Sequence, residues 1–178
     1  RNMKFGGVDR EVPDTLLAAA SYYATVQQVD NAFGVLMKEL ESLGLSDNTL
    51  VFFTSDNGPE HPVNLEESKG EWDVPIRDMC AGTPGVFRGM KRYPFEGGHR
   101  VPGIVRWPGE IPAGIVSDEL FNGTDLLPVI CGLIDIETPD DRPLDGINAF
   151  DVLKGKSLKR TEPVLWTCPT HEDTWFRM

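Results

Sequence analysis

Long apolar runs are missing from this sequence. Its longest clearly apolar stretch, Leu50-Val51-Phe52-Phe53, is strand-sized, far short of the ~20 residues that a membrane-spanning helix needs. Cysteine is sparse, and Cys80, Cys131 and Cys168 stand too far apart for a Cys-x-x-Cys pair. That spacing disfavours a zinc knuckle or a thioredoxin-like centre, and an odd count does not read as a disulfide framework. Histidine is scarce as well. His61, His99 and His171 include no pair at the spacing that sets two imidazoles on one helix face. Positive charge is in deficit, with 17 basic against 28 acidic residues and a formal net charge of -11. Nucleic-acid binding rests on neutralising phosphates, so a chain this acidic is a poor non-specific partner for it. The front carries no basic-then-apolar leader and opens on Arg1 rather than Met. Internal repeats and low-complexity tracts are also missing.

What is present is ordinary globular material. Hydrophobic residues make up 40% and charged residues 25%, which argues against wholesale disorder. A length of 178 residues is one domain by size, long enough to bury a core without staples. Residues 1–13, with Gly6, Gly7 and Pro13, read as a loop. Apolar residues then recur at Leu16, Leu17, Ala20, Tyr23, Val26, Val29, Phe33, Leu36, Met37 and Leu40. Steps of three and four predict a helix over residues 14–43, stopped by Gly44. Thr49 to Thr54 follows as an unbroken run of β-branched, aromatic and Leu residues, the pattern of a strand covered on both faces in a parallel sheet. A long helix followed by such a strand is half of an α/β unit.

The rest of the chain is richer in breakers. Residues 58–88 read as a long loop with a short helix near Pro75–Met79, and a loop of that length in a compact domain is usually functional or mobile. Residues 101–107 read as a second strand, weakened at its start by Pro102. Residues 118–132 read as a short helix, with Pro128 in its first turn if the helix starts at Thr124 or Asp125. Residues 135–146 form a turn-rich loop, Phe150 to Leu153 a helical turn, and Val164-Leu165-Trp166 an edge strand.

Two constellations could carry chemistry. Ser55-Asp56-Asn57-Gly58 follows directly on the apolar strand. Asp and Asn offer hard oxygen donors of the kind calcium and magnesium select, and the C-terminal end of a parallel strand is where α/β sheets bind ligands. A plain turn explains Asp-Asn-Gly equally simply. The second constellation runs from Arg88 to Arg106, where Arg88, Lys91, Arg92, Arg100 and Arg106 face one acid, Glu96. Such a cluster can hold an oxyanion, and Gly97-Gly98 permits close backbone approach. A solvated basic loop is the alternative. His61, five positions beyond Asp56, could approach the same site. Cys168-Pro169-Thr170-His171 pairs a thiol with an imidazole, but no other residue supports a thiol site there. Asn122-Gly123-Thr124 fits the glycosylation sequon.

In order along the chain, these pieces resemble the sulfatase family, within the alkaline-phosphatase-like superfamily. The resemblance is carried by Thr54-Ser55-Asp56-Asn57-Gly58, then Gly89-Met90-Lys91, then Glu96-Gly97-Gly98-His99-Arg100-Val101-Pro102 and Arg106-Trp107-Pro108-Gly109. Thr124-Asp125-Leu126-Leu127-Pro128 and Leu144-Asp145-Gly146 follow in the family's order, and the likeness covers roughly residues 20–155. It implies an α/β fold, a partial alkaline-phosphatase-like sheet with flanking helices and long loops, in a single domain over 1–178 that is the later portion of a catalytic domain. It implies hydrolysis of a sulfate ester in an intact parent.

By the same resemblance, Asp56 and Asn57 are calcium ligands and Lys91 contacts the substrate sulfate, with His99 and His61 as further substrate-side residues. The family's nucleophile is a formylglycine made from a Cys/Ser-x-Pro-x-Arg motif, and no Cys or Ser here opens such a run. The calcium site is therefore incomplete in this chain, the formylglycine belongs only to an intact parent, and the missing N-terminal portion is an expected partner. The chain alone is expected to be inactive. The family suggests a periplasmic, secreted or lysosomal setting. Two rival readings stand beside this one: a non-catalytic α/β interaction or scaffold domain, and a phosphoryl- or phosphonate-hydrolysing relative of the same superfamily.

Overall fold

Residues 2–5, 8–11, 14–60, 82–138, 141–167 and 174–177 are described by a computed structural model of the chain. The loop expected over residues 1–13 is instead an antiparallel pair. Strands β1 (Asn2–Phe5) and β2 (Val8–Glu11) set Asn2 opposite Glu11 and Phe5 opposite Val8. In β1 Met3 and Phe5 do alternate with Asn2 and Lys4, but four residues beside Gly6-Gly7 are too few to establish a period, and β2, with Asp, Arg and Glu after Val8, has none.

Helix α1 (Asp14–Ser42) matches the expected period. It stops at Gly44, whose φ of +67° is left-handed. The Gly44 N–H donates to the Glu41 carbonyl and the Leu45 N–H to the Leu40 carbonyl, so the last turn's orphan acceptors are met. The apolar stripe of α1 is only partly covered. Phe33, Met37 and Leu40 are half-buried, whereas Tyr23, Val26, Val29 and Leu36 are exposed.

A 3-10 turn (Ser46–Asn48) leads into β3 (Val51–Thr54). The connection over 61–81, including the helix expected near Pro75–Met79, lies outside the described residues. After it come α2 (Glu96–His99) and β4 (Gly103–Arg106), which begins one residue after Pro102. β4 pairs antiparallel with β3, Val51 opposite Arg106 and Thr54 opposite Gly103. Among the described residues β3 has no parallel neighbour, so the parallel pairing expected from its composition is replaced by an antiparallel one. The apolar run specifies cover on both faces, not the direction of the neighbouring strand. That cover is present: Phe53 meets Phe33 of α1 edge-on at 5.5 Å, and Phe52 meets Phe121 at 5.6 Å. Successive strand residues point to opposite faces, so these two contacts bracket the strand.

The buried centre lies further on. A 3-10 turn (Gly123–Asp125) runs into α3 (Leu126–Leu133), followed by α4 (Phe150–Leu153), β5 (Val164–Thr167) and β6 (Thr174–Arg177). The helix read over 118–132 therefore starts later, because the Asp125 carboxylate accepts the Asn122 N–H at 2.8 Å and fixes a helix start there. Val129, Cys131, Ala149, Val152 and Val164 are buried. β5 is paired as expected, and its partner is β6, with Trp166 opposite Trp175.

Asp125 is fully buried. Its second oxygen accepts the Ile147 N–H at 3.0 Å. Arg160 pairs with the same carboxylate and also donates to the Leu120 carbonyl at 3.1 Å. One carboxylate thus ties the residues before α3, the strand-like segment before α4 and the approach to β5. Removing one partner of such a pair strands a buried charge, at a cost of about 3–5 kcal/mol. Arg160→Met is expected to lower the unfolding free energy measured by urea denaturation by a margin of that size, with a lower midpoint. An unchanged midpoint would show that the pair contributes nothing to the fold.

Candidate functional site

The site is built from two loops that meet through their main chains. The first leaves β3 at Ser55. The Ser55 hydroxyl reaches the Asp56 carboxylate at 3.4 Å and the Asn57 carbonyl at 3.2 Å, which holds the loop in a tight bend. Asp56 is exposed and Asn57 half-buried. Both follow directly on the C-terminal end of β3.

The second loop runs from Arg88 into α2. The Gly58 N–H donates to the Gly98 carbonyl at 2.9 Å, and the Lys91 N–H donates to the Pro59 carbonyl at 2.9 Å. The second loop is also folded on itself, with the Gly97 N–H donating to the Arg88 carbonyl at 2.7 Å. Approach this close leaves no room for side chains. A Cβ on Gly58 would overlap the Gly97 carbonyl, and a Cβ on Gly97 would overlap the Gly89 carbonyl. The Gly-Gly dipeptide is therefore dictated by backbone contact.

An open groove of about 1540 Å³ runs beside these loops. Asp56, Asn57, His99 and Arg100 contribute to its lining, together with Trp107 and Trp166. The His99 ring, at the end of α2, lies flat on the Trp166 indole, with centroids 4.0 Å apart and planes 10° from parallel. Lys91 is not among the groove's lining residues. Its ammonium lies 3.5 Å from the Glu60 carboxylate. The structure therefore joins the Asp56-Asn57 loop to the Lys91 loop by main chain, while the Lys91 ammonium points to Glu60. His61 and His171 fall outside the described residues, as do Cys80 and Cys168. Cys131 is buried in α3.

The oxygen donors of Asp56 and Asn57 suit a hard divalent cation, but calcium takes about six to eight oxygens. No group of three or more His, Cys, Asp or Glu residues converges among the described residues. The pair fits such an ion in kind and, among the described residues, falls short in number. Two groups escaped sequence reasoning. Glu60 is one acid in a charged loop, and its partners lie across the fold. Asp125 stands inside a motif string, and only its burial marks it out.

Comparison with known proteins was made for the whole chain. The family model described as Sulfatase matches residues 4–136. Human steryl-sulfatase is 36% identical over 145 residues, 82% of this chain and 23% of the relative. Mouse N-acetylgalactosamine-6-sulfatase is 37% identical over 140 residues, 78% of this chain and 24% of the relative. Among solved structures, PsFucS1 sulfatase from Pseudoalteromonas sp. aligns with a TM-score of 0.61 at 34% identity, covering 79% of this chain and 26% of that one. The crystal structure of Ps i-CgsB in complex with k-i-k-neocarrahexaose aligns with a TM-score of 0.67 at 25% identity, covering 85% of this chain and 32% of that one. The chain spans about a quarter of the length of the two sequence relatives.

Two outcomes follow from the geometry. Gly58→Ala drives a Cβ against the Gly97 carbonyl of the other loop and should separate the two loops. Amide exchange at Lys91 is then expected to accelerate at least ~10-fold, the equivalent of ~1.4 kcal/mol of lost protection; unchanged exchange would mean that the loops are held by something else. Calcium titration of this chain followed by calorimetry should give weak binding or none, since two donors cannot fill the ion's shell. Tight one-to-one binding would reveal further ligands.

Proposed function

The chain belongs to the sulfatase family, and we propose that residues 1–178 are the later portion of a catalytic domain that hydrolyses a sulfate ester. The observation that carries this reading is the main-chain junction of the Asp56-Asn57 loop with the Lys91 and Gly97-Gly98 segment. It sets two oxygen donors and a lysine on neighbouring loops. No observed feature among the described residues favours a scaffold domain or a phosphoryl-hydrolysing relative.

The apolar face of α1 is left uncovered among the described residues, with Tyr23, Val26 and Val29 exposed. In our reading this face, and the two-stranded β3–β4 sheet, meet the N-terminal portion of the domain. A two-stranded sheet is marginal by itself. No described helix is long and apolar enough to cross a membrane, and we assign the complete enzyme to a periplasmic, secreted or lysosomal compartment.

Within the complete site each group has a distinct task. Lys91 supplies a compact positive charge for the sulfuryl oxygens, whose negative charge must be stabilised as the ester bond breaks. Asp56 and Asn57 give two oxygen ligands to a divalent cation, calcium by family resemblance, which when bound adds positive charge at the same place. Ser55 holds their loop in the required bend. His99 borders the groove, and we place it and His61 on the substrate side. The nucleophile, by resemblance a formylglycine, comes from outside this segment, because no Cys/Ser-x-Pro-x-Arg run exists here.

Groups that act as a unit lose most of their effect when one is missing. Residues 1–178 alone are expected to show no turnover of an aryl sulfate. In the complete enzyme, Lys91→Ala should lower kcat/KM by ~10²-fold or more, the scale for losing one charge-stabilising group, with unchanged thermal unfolding. Activity in the isolated chain, or an undisturbed Lys91→Ala enzyme, would place the chemistry elsewhere.

A further inference from the structure

Glu60 stands three positions beyond Asn57 on the loop that leaves β3. One of its carboxylate oxygens lies 3.5 Å from the Lys91 ammonium and accepts a hydrogen bond from the Arg92 guanidinium at 3.1 Å. Two sequence neighbours thus reach one oxygen. Arg92 adopts a left-handed φ of 76°, uncommon for a residue with a side chain, and the turn it makes keeps both cations beside Glu60. The backbone bond from Lys91 to Pro59 fixes the distance between the two loops at this point. The two contacts differ in kind. That of Arg92 is within hydrogen-bond range, whereas that of Lys91 is a longer ion pair. Glu60 is also the most covered of the three side chains, 24% exposed against 42% for Lys91 and 52% for Arg92.

We propose that Glu60 is the resting counter-ion of Lys91 and a positioning residue for the sulfate-binding step. It holds the ammonium until a sulfate ester takes its place, and Arg92 then retains the released carboxylate. The inference rests on the reading of Lys91 as the sulfate contact. Its chemical logic is charge. Glu60 sets a negative charge beside Lys91 and Arg92, which opposes an arriving anion in proportion to that anion's charge. A sulfate monoester carries one negative charge and makes further contacts through its alcohol portion. Inorganic sulfate, the product, carries two and has no alcohol portion. Glu60 therefore weakens product binding more than it weakens substrate binding, and favours release.

The test compares wild type, Glu60→Gln, Glu60→Asp and Lys91→Ala in the complete enzyme that carries this segment. Inorganic sulfate is the probe, measured both as a competitive inhibitor and by direct calorimetric titration. Glu60→Gln should tighten sulfate binding by about 5-fold, the scale of one partly exposed ion pair. Glu60→Asp keeps the charge and should return the sulfate affinity to within about twofold of wild type. A merely structural role for Glu60 would not raise affinity for the product anion. Unchanged or weakened sulfate binding in Glu60→Gln, with Lys91→Ala still inactive, overturns this inference and leaves the sulfatase site intact. An undisturbed Lys91→Ala enzyme overturns both.

Discussion

Two main-chain hydrogen bonds, from Gly58 to Gly98 and from Lys91 to Pro59, are the constraint on which the candidate site depends. The oxygen donors and the cations beside them sit on opposite sides of that seam. Asp56, Asn57 and Glu60 belong to the loop leaving β3, and Lys91 and Arg92 to the loop entering α2. A seam of this kind requires carbonyls and N–H groups at contact distance with no Cβ between them, so glycine occupies both edges. The β3–β4 pairing serves the same end from below. Arg106, at the end of β4, donates to the Ser46 carbonyl ahead of β3 at 3.0 Å, so the strand pair is fastened at the end away from the site.

A second anchor lies in the buried carboxylate of Asp125. It joins three segments that share no sheet and that would otherwise rest on a modest apolar centre around Val129 and Val152. Its role is that of a polar rivet: fully satisfied, such a group specifies one arrangement; half satisfied, it is worse than a hydrocarbon. The stack of Trp166 on His99 then brings β5 against the end of α2, so the last described part of the fold borders the groove beside Asp56 and Asn57.

Much of this was legible in the sequence, and the reasons for the rest are physical. Helix α1 announced itself by period, β3 by an unbroken apolar run, and the order of the Asp56-Asn57, Lys91 and Gly97-Gly98 motifs carried the family. The β1–β2 pair was hidden because the alternation of Asn2 to Phe5 is only four residues long beside Gly6-Gly7, and β2 has none. The direction of the β3–β4 pairing was hidden for a different reason. A strand covered on both faces looks alike whether its neighbour runs with it or against it. Half of the stripe on α1 is exposed, since an amphipathic pattern records which face wants cover and not whether the described residues provide it. Contacts such as Glu60 with Arg92, or Asp125 with Arg160, join residues more than thirty positions apart and have no local signature at all.

The seam at Pro59 and Lys91 also bears on how such a site can change over time. The main chains of Pro59 and Lys91 are bonded directly, so the spacing of the oxygen donors from the lysine is set at that bond and not by the number of residues between them. Insertions and deletions there would leave the oxygen donors and the lysine at the same separation in space while their separation in sequence varied widely. The inheritable unit is therefore the pair of flanks, Asp56 to Pro59 and Gly89 to Gly98, and the stretch between them is a region in which new surface can be acquired without disturbing the chemistry at its base.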